Sequence, residues 1–431
     1  MNILKNKVIQ NASWIILCKI VQAVLNLVVT MLTARYLGPS NYGLISYAAS
    51  LVAFAVPVME LGLRNTLVQE FVNAPDQEGR ILGTAICMNL ISAVFSMIGV
   101  VSFAAVANSG DKVTIIVCAL YSGSLLFQAI ETSQYWFQAK LLSKYTSLAM
   151  LFSYVVVSVY KIWLLISGKD VYWYACSQSI DYIIIGVILL ILYKKCCKQP
   201  LRFSLALSRK LFSRSRYYIV SNLMVTIFAQ TDKVMLNFMI DENATGLYSA
   251  AVTCATMTGF IFQAIINSAR PVIFESHIKD KKAFEKNVSF LYMVIIYLSL
   301  SQCLLITIFS KWIILIIYGS EFTGAVNALR IIVWYTTFSY LGSVRNIWIL
   351  AEEQQKYLWI INSSGASMNV VLNLILIPIY GIEGAAIASL ITQIFTNVIM
   401  GYILRPIHRN NYLMIKGLDL RLLSGFLKRN K

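Results

Sequence analysis

Twelve stretches of apolar residues, each about 20 long, recur between Ala12 and Leu404, separated by short polar or basic connections. A run of 18 or more apolar residues crosses the roughly 30 Å hydrocarbon layer as a helix rising about 1.5 Å per residue, and it has few other stable fates. The pattern predicts helices near 12–33, 42–63, 81–106, 113–133, 145–166, 172–193, 213–238, 246–268, 288–309, 326–350, 357–379 and 384–404. Segments such as IIIGVILLIL lack the polar and apolar alternation of a barrel strand, which excludes a closed membrane barrel. The expected fold class is therefore an all-α membrane protein with about 12 transmembrane helices.

Composition sharpens this picture. Hydrophobic residues make up 58% of the chain and the mean hydropathy is +0.70, so no stretch is left for a soluble catalytic domain. The net charge of +17 would suggest nucleic acid in a soluble protein, but its distribution is one-sided. If the N-terminus is cytoplasmic, the opposite loops hold only Arg35, Lys112, Lys169 and Lys311, five more cations lie inside helices, and the other 27 of the 36 Lys and Arg fall on the cytoplasmic side. The positive-inside rule then places both termini in the cytoplasm, and no nucleic-acid partner is needed to explain the charge. The start MNILKNKVIQNASW has no cleavage-site pattern before the long first helix, so it reads as a retained anchor.

Six of the eight cysteines, Cys18, Cys87, Cys118, Cys176, Cys254 and Cys303, sit in apolar stretches, where cysteine acts as a small hydrophobe, and no disulfide framework is implied. Cys196 and Cys197, in the KKCCK run, are expected at the cytoplasmic membrane surface.

The most basic connection, residues 194–216, divides the chain into an N-terminal six-helix bundle (1–200) and a part (201–431) holding a linker, a C-terminal six-helix bundle and a cytoplasmic tail. Its cations alternate with Leu201, Phe203, Leu205, Leu207, Leu211 and Phe212, as in an amphipathic segment on an anionic leaflet, and the tail at 418–429 reads likewise. The halves echo each other. Gly43-Leu44 and Gly246-Leu247 open helices two and eight, which end in Arg64 and Arg270, and Lys144-Tyr145 and Lys356-Tyr357 precede helices five and eleven. Repeats of six helices are a usual construction of secondary transporters.

Ionisable groups inside the hydrocarbon cost on the order of 2.5–3.5 kcal/mol unless they face protein or water. Lys19, Glu60, Glu131, Lys161, Asp181, Asp232, Lys233, Arg330 and Arg345 all lie within the predicted spans. With Arg64 and Arg270 at the inner rim, the seven cations would form steps across the membrane and are the candidate substrate-binding groups. The four acids are candidates for ion coupling or for pairing. A structural role is also open: Glu60 and Arg64 stand four apart and Asp181 could neutralise Lys161. Asn362, Asn369 and Asn373 share one helix face, and Gln128, Glu131 and Gln134 recur at a spacing of three. Gln128 and the three asparagines are candidates for a polar lumen or for interhelical hydrogen bonding.

Motifs for other chemistry are missing. There is no GxxxxGKS or GxxxxGKT to cradle a nucleotide, no GxSxG nucleophile, and only His277 and His408 among histidines, neither with a metal-ligand partner at useful spacing. The expectation is no cofactor, no metal and no enzyme.

Three segments, ARYLGPSNYGLISYA, TDKVMLNFMIDENATGLYSAA and NVVLNLILIPIYGIEGAAIASLIT, resemble the bacterial polysaccharide repeat-unit flippases of the O-antigen and capsule type. These belong to the superfamily that includes the multidrug and toxin extrusion exporters and the lipid II flippase. The resemblance implies two six-helix bundles around a central lumen, alternating access, and a cell-membrane location. Its implied cargo is an undecaprenyl-diphosphate-linked oligosaccharide moved to the outer leaflet. Membrane lipids, a polysaccharide polymerase and a chain-length regulator are the implied partners. A diphosphate needs cations on its way through, which Lys19, Arg64, Lys161, Lys233, Arg270, Arg330 and Arg345 would offer, with Asp232 more a positioning partner than a ligand. Two alternatives remain: an ion-coupled drug or metabolite exporter of the same fold, centred on Glu131, Asp181 or Asp232, and a membrane-embedded polysaccharide polymerase or glycosyltransferase. The short outer connection at 310–325 speaks against the latter.

Overall fold

The computed structural model describes residues 2–108, 110–197, 199–419 and 421, without the side-chain surroundings of 2–17, 19, 20 and 65. Among the described residues the regular structure is helical throughout, with no strand. The chain forms two compact units, Met1–Gln230 and Thr231–Lys431. The first contains α1 (Asn2–Met59), α2 (Arg64–Asn73), α3 (Glu78–Ala107), α4 (Lys112–Ser122), α5 (Ser124–Glu131), α6 (Gln134–Ala139), α7 (Ser143–Ile166), α8 (Val171–Cys196) and the first part of α9 (Leu205–Met239). The second contains the end of α9, then α10 (Glu242–Thr256), α11 (Gly259–Lys279), α12 (Lys281–Ile317), α13 (Ala325–Ala351), α14 (Lys356–Ile394), a π-helical turn at Phe395–Ile399, α15 (Met400–Ile403) and α16 (His408–Lys416). The division falls inside α9, thirty residues after the boundary expected from the charge run.

All twelve predicted stretches are helical over most of their length, and the protein is a multi-pass membrane protein. Seven described helical segments, or eight if α10 and α11 form one span bent by 43°, are long and apolar enough to cross a bilayer. Two of the seven each contain two predicted helices. Gly38 (φ 70°, ψ 173°) breaks α1 between the stretches at 12–33 and 42–63, and Gly381 (φ 58°, ψ −130°) breaks α14 between those at 357–379 and 384–404. Glycine takes these positive φ values without a Cβ clash, and Pro39 after the first break needs no N–H at the start of the next helix. The stretches at 213–238 and 326–350 lie in α9 and α13, whose charges, Asp232 and Lys233 in one and Arg330 and Arg345 in the other, dilute their hydropathy.

Each unit has its own core. In the first, Leu67, Phe71, Leu82, Trp136, Phe137 and Tyr193 pack together, with Trp136 edge-on to both Phe137 and Tyr193. In the second, Phe262 stacks on Tyr340 at 4.1 Å within a cluster that includes Tyr292, Ile295, Trp348 and Leu413. The C-terminal α16 belongs to that cluster: Tyr292 donates to Asn410 Oδ1 (2.8 Å), Asn411 donates to the Val398 carbonyl (2.8 Å), and Arg409 grips Glu285 with two hydrogen bonds. The amphipathic tail expected at 418–429 lies almost wholly outside the described residues.

The basic connection departs from expectation. Residues 197 and 199–204 are non-helical, and they dock on α3 instead of serving only as a linker along the leaflet. Arg202 N donates to Gly79 O (3.2 Å), Gly79 N to Gln199 (3.0 Å), Arg80 to Ser204 (2.6 Å) and Ser204 N to Thr84 (3.1 Å). The buried Glu70 draws Lys210 (3.4 Å) and Arg214 onto α2, and the buried Glu78 holds Lys140 at 2.5 Å and Trp136 Nε1 at 2.7 Å. A buried carboxylate requires such partners, which is why these cations turn inward. Leu201, Phe203, Leu205 and Phe212 are exposed, and so are Arg202, Arg209 and Arg216, so apolar and cationic side chains alike remain available to the leaflet. Cys197 is buried with its thiol 3.5 Å from Glu78, whereas Cys196 is exposed.

Candidate functional site

In the first unit the second half of α1 ends at Met59, and Leu61 (φ 51°) and Gly62 (φ 68°) turn the chain before α2 begins at Arg64. Glu60 and Arg64 are therefore not neighbours on one helix, which corrects the expected i,i+4 geometry, although the two charges still act on each other. Among the described residues no carboxylate lies within 4 Å of the Arg64 guanidinium. Both side chains instead line a hollow of about 550 Å³ between α1 and α9. Asn222, Thr226 and Gln230, at i, i+4 and i+8 on α9, supply its other polar wall, and Gln230 accepts from Ser50 at 3.1 Å. One guanidinium, one carboxylate, two amides and a hydroxyl thus face one open space. The stripe on α9 is legible in the sequence as a spacing, but it carries no charge to mark it.

Glu131 and Asp181, the other two acids singled out in this unit, are hydrogen-bonded locally. Glu131 is buried and accepts from Gln134 (3.1 Å); Gln128 is half-buried one turn earlier. Asp181 accepts from Ser153 Oγ at 2.5 Å, and among the described residues it forms no ion pair with Lys161. Lys161 lies eight residues beyond Ser153 on α7, about 12 Å along the axis, so the expected neutralisation is an attraction at a distance and not a contact pair. The side-chain surroundings of Lys19 lie outside the described residues.

The second unit holds a buried polar centre on Asp232. Asn369 donates to its Oδ1 at 3.0 Å and Asn373 at 2.6 Å; Tyr248 donates to Oδ2 at 2.5 Å and Ser389 to the same oxygen. All five residues are buried. Four donors and no acceptor suit an ionised carboxylate, and among the described residues no cation lies within 4 Å. Asn373 Oδ1 is buried without a hydrogen-bond partner, so the centre keeps one unused oxygen. Carboxylate, amide and hydroxyl oxygens of this kind suit a proton or a small hard cation. Among the described residues no cluster of three His, Cys, Asp or Glu side chains exists for a transition metal. Two of the three asparagines expected on one face converge here, while Asn362, a further 10 Å or so along α14, is half-buried elsewhere. Tyr248 and Ser389 were missed, because a tyrosine and a serine in a run of alanines carry no distinguishing signal.

The cations of this unit divide. Arg345 is buried and donates to the Thr396 carbonyl in the π-helical turn (2.6 Å) and to Asn346 (3.1 Å), so it faces protein and no open space. Arg330 is exposed and bonded to Ser310 (2.9 Å), and Lys233 is half-buried. Arg270 is exposed on α11 in line with Gln263 and Asn267, at i, i+4 and i+7, a polar stripe on a membrane-length bent pair. Gln263 and Asn267 were not singled out from the sequence, although their spacing is readable there.

The model of a family described as polysaccharide biosynthesis protein matches residues 8–277. A probable low-salt glycan biosynthesis flippase of Haloferax volcanii is 22% identical over 378 residues, covering 86% of this chain and 78% of that protein. An uncharacterized membrane protein of Methanocaldococcus jannaschii is 28% identical over 232 residues, 50% of this chain; the chain thus spans less than half, 45%, of that relative. Among solved structures, an inward-facing multidrug resistance MATE family transporter of the MOP superfamily matches with a TM-score of 0.72 at 13% identity, covering 90% of this chain and 94% of that one. The lipid II flippase MurJ, in an inward closed conformation, matches with a TM-score of 0.68 at 16% identity, covering 96% and 92%. These likenesses show that the chain shares the fold of these transporters.

Proposed function

This chain belongs to the polysaccharide biosynthesis family, and we propose that it moves a lipid-linked glycan from one leaflet of the membrane to the other. The observation that carries this reading is the hollow at Arg64. A guanidinium without a carboxylate within 4 Å, beside Asn222, Thr226 and Gln230, offers charge-assisted hydrogen bonds to a phosphate and neutral ones to sugar hydroxyls. A diphosphate cannot enter hydrocarbon unpaired, whereas a polyprenyl tail can remain in the lipid. The glycan name of the Haloferax relative and the family description support the same cargo class.

The finer reading is an undecaprenyl-diphosphate-linked repeat unit, in a bacterial cell membrane with both termini cytoplasmic, upstream of a polymerase and a chain-length regulator. Arg270, with Gln263 and Asn267, would offer a second cationic step, and Lys161, Lys233 and Arg330 further ones. Asp232 would couple transport to a proton or sodium ion by exchanging its four donors for the ion. An exporter of cationic compounds would need an open carboxylate with no competing cation: Asp232 is engaged by Asn369, Asn373, Tyr248 and Ser389, and Glu60, which does face a hollow, shares it with Arg64.

Deletion of the gene should leave lipid-linked saccharide on the cytoplasmic leaflet while its synthesis in isolated membranes continues. Loss of the synthesis itself would make the protein an enzyme and overturn the reading.

A further inference from the structure

We propose that a second hollow, of about 420 Å³ beside the Gly38 break in the first unit, is a saccharide-binding subsite. The inference rests on the glycan reading above and deepens it, by giving the sugar part of the cargo its own contact away from Arg64.

Two turns build the hollow. The break at Gly38 brings Tyr36 and Leu37 from one half of α1 and Asn41 from the other to its edge. Opposite, the connection between α7 and α8 turns at Gly168 (φ 63°) and presents Lys169 and Asp170, and the first turn of α8 adds Tyr172. Tyr36 is fixed from behind by the buried Tyr174, their rings 6.0 Å apart, and Lys169 sits 5.7 Å from the ring of Trp173. Asp170 occupies the position before α8 where an aspartate ordinarily caps the helix, yet its side chain makes no capping hydrogen bond. Asn41 turns its amide nitrogen to the Leu37 carbonyl (3.2 Å), which directs its oxygen the other way.

The chemistry of this set selects a neutral, hydroxyl-rich ring. Lys169 and Asp170 cancel in charge, so neither an anion nor a cation is favoured. The carboxylate and the asparagine oxygen accept hydrogen bonds from hydroxyls, the ammonium donates, and the tyrosine faces suit the C–H face of a pyranose. The volume lies in the range of small-ligand sites, about 300–1,000 Å³. Tyrosine and tryptophan also collect at membrane interfaces as anchors, as the exposed Trp163, stacked with Tyr160 at 6.1 Å, would do. By the charge pattern this hollow is on the outer side, where a translocated saccharide would arrive.

The test is saturation-transfer NMR on the full chain in lipid nanodiscs. The probes are a panel of neutral sugars: glucose, galactose, rhamnose, xylose, N-acetylglucosamine and N-acetylgalactosamine. At least one should give a saturable signal that falls roughly threefold or more in Tyr36→Ala and in Asp170→Asn, as expected for loss of one such contact. Trp163→Ala should leave that signal unchanged. Asn41→Ala gives an independent check should Tyr36→Ala fold poorly. No signal from any sugar, or equal signals in all variants, overturns the subsite, as does a loss confined to Trp163→Ala, which would mark an interfacial belt. The two readings also separate: wild-type protein that flips lipid-linked glycan but shows no sugar signal sinks the subsite alone, and protein that binds sugar at Tyr36 but flips nothing sinks the function alone.

Discussion

Asn373 Nδ2 lies 2.6 Å from Asp232 Oδ1, tying α14 to α9 through a carboxylate that has no cation within 4 Å among the described residues. An incoming proton would make one carboxylate oxygen a donor in a space already filled with donors, so Ser389 or Tyr248 would have to rotate its O–H away. A sodium ion would require the hydroxyls and amides to turn their oxygens inward, and Asn373 Oδ1 is already unengaged. Either event shifts contacts between helices, which is the minimum that ion coupling needs.

Replacing Asp232 by Ala strands the four donors, and each buried group left unpaired costs about 1–3 kcal/mol. The purified Asp232→Ala protein should therefore unfold at a clearly lower temperature than wild type in detergent. Asp232→Asn, which keeps an acceptor, should fall less but lose the dependence of transport on an imposed proton or sodium gradient. An unchanged midpoint for the Ala variant would mean that the centre is not formed in the membrane protein.

Arg345 and Arg64 should behave in opposite ways, although the sequence grouped them. Arg345 bonds to the Thr396 carbonyl, and hydrogen bonds from a charged group contribute about 1.5–3 kcal/mol, so Arg345→Met should lower the unfolding temperature while transport per folded molecule survives. Equal loss of transport without loss of stability would return Arg345 to the cargo path.

The docked connection gives a third expectation. Glu70→Ala removes the carboxylate that holds Lys210 and Arg214, so limited trypsin digestion should cut after Arg209, Lys210 or Arg214 several-fold faster, on the order of the opening equilibrium gained. A cleavage rate equal to wild type would mean that the contacts to Gly79, Arg80 and Thr84 hold the segment by themselves.

The helices were legible because a bilayer leaves apolar stretches of this length one stable form, and the breaks at Gly38 and Gly381 coincide with the Gly-Pro and Pro-Ile-Tyr-Gly punctuation. The asparagines at 369 and 373 were legible as a helix face. What they face was not, since the partners Asp232, Tyr248 and Ser389 come from α9, α10 and the second half of α14, and sequence spacing is silent across helices. Charge was the least informative guide. It marked Arg345, which turned out to be held by a carbonyl, and it paired Glu60 with Arg64 across a turn where Leu61 and Gly62 leave the helical conformation. It also read 194–216 as an amphipathic segment on the leaflet, because the buried Glu70 that receives its Lys210 and Arg214 lies 140 and 144 residues away in sequence.

The central claim, that the cargo is a lipid-linked glycan gripped at Arg64, is tested most directly by reconstitution. Purified protein in liposomes carrying an undecaprenyl-diphosphate-linked oligosaccharide should expose that lipid to an external, membrane-impermeant glycosidase faster than protein-free liposomes do. Arg64→Lys should keep part of the rate, because the positive charge remains, and Arg64→Ala should lower it by roughly tenfold or more, the loss of a charge-assisted contact. A wild-type rate no faster than that of empty liposomes, or an Arg64→Ala rate equal to wild type, would contradict the account.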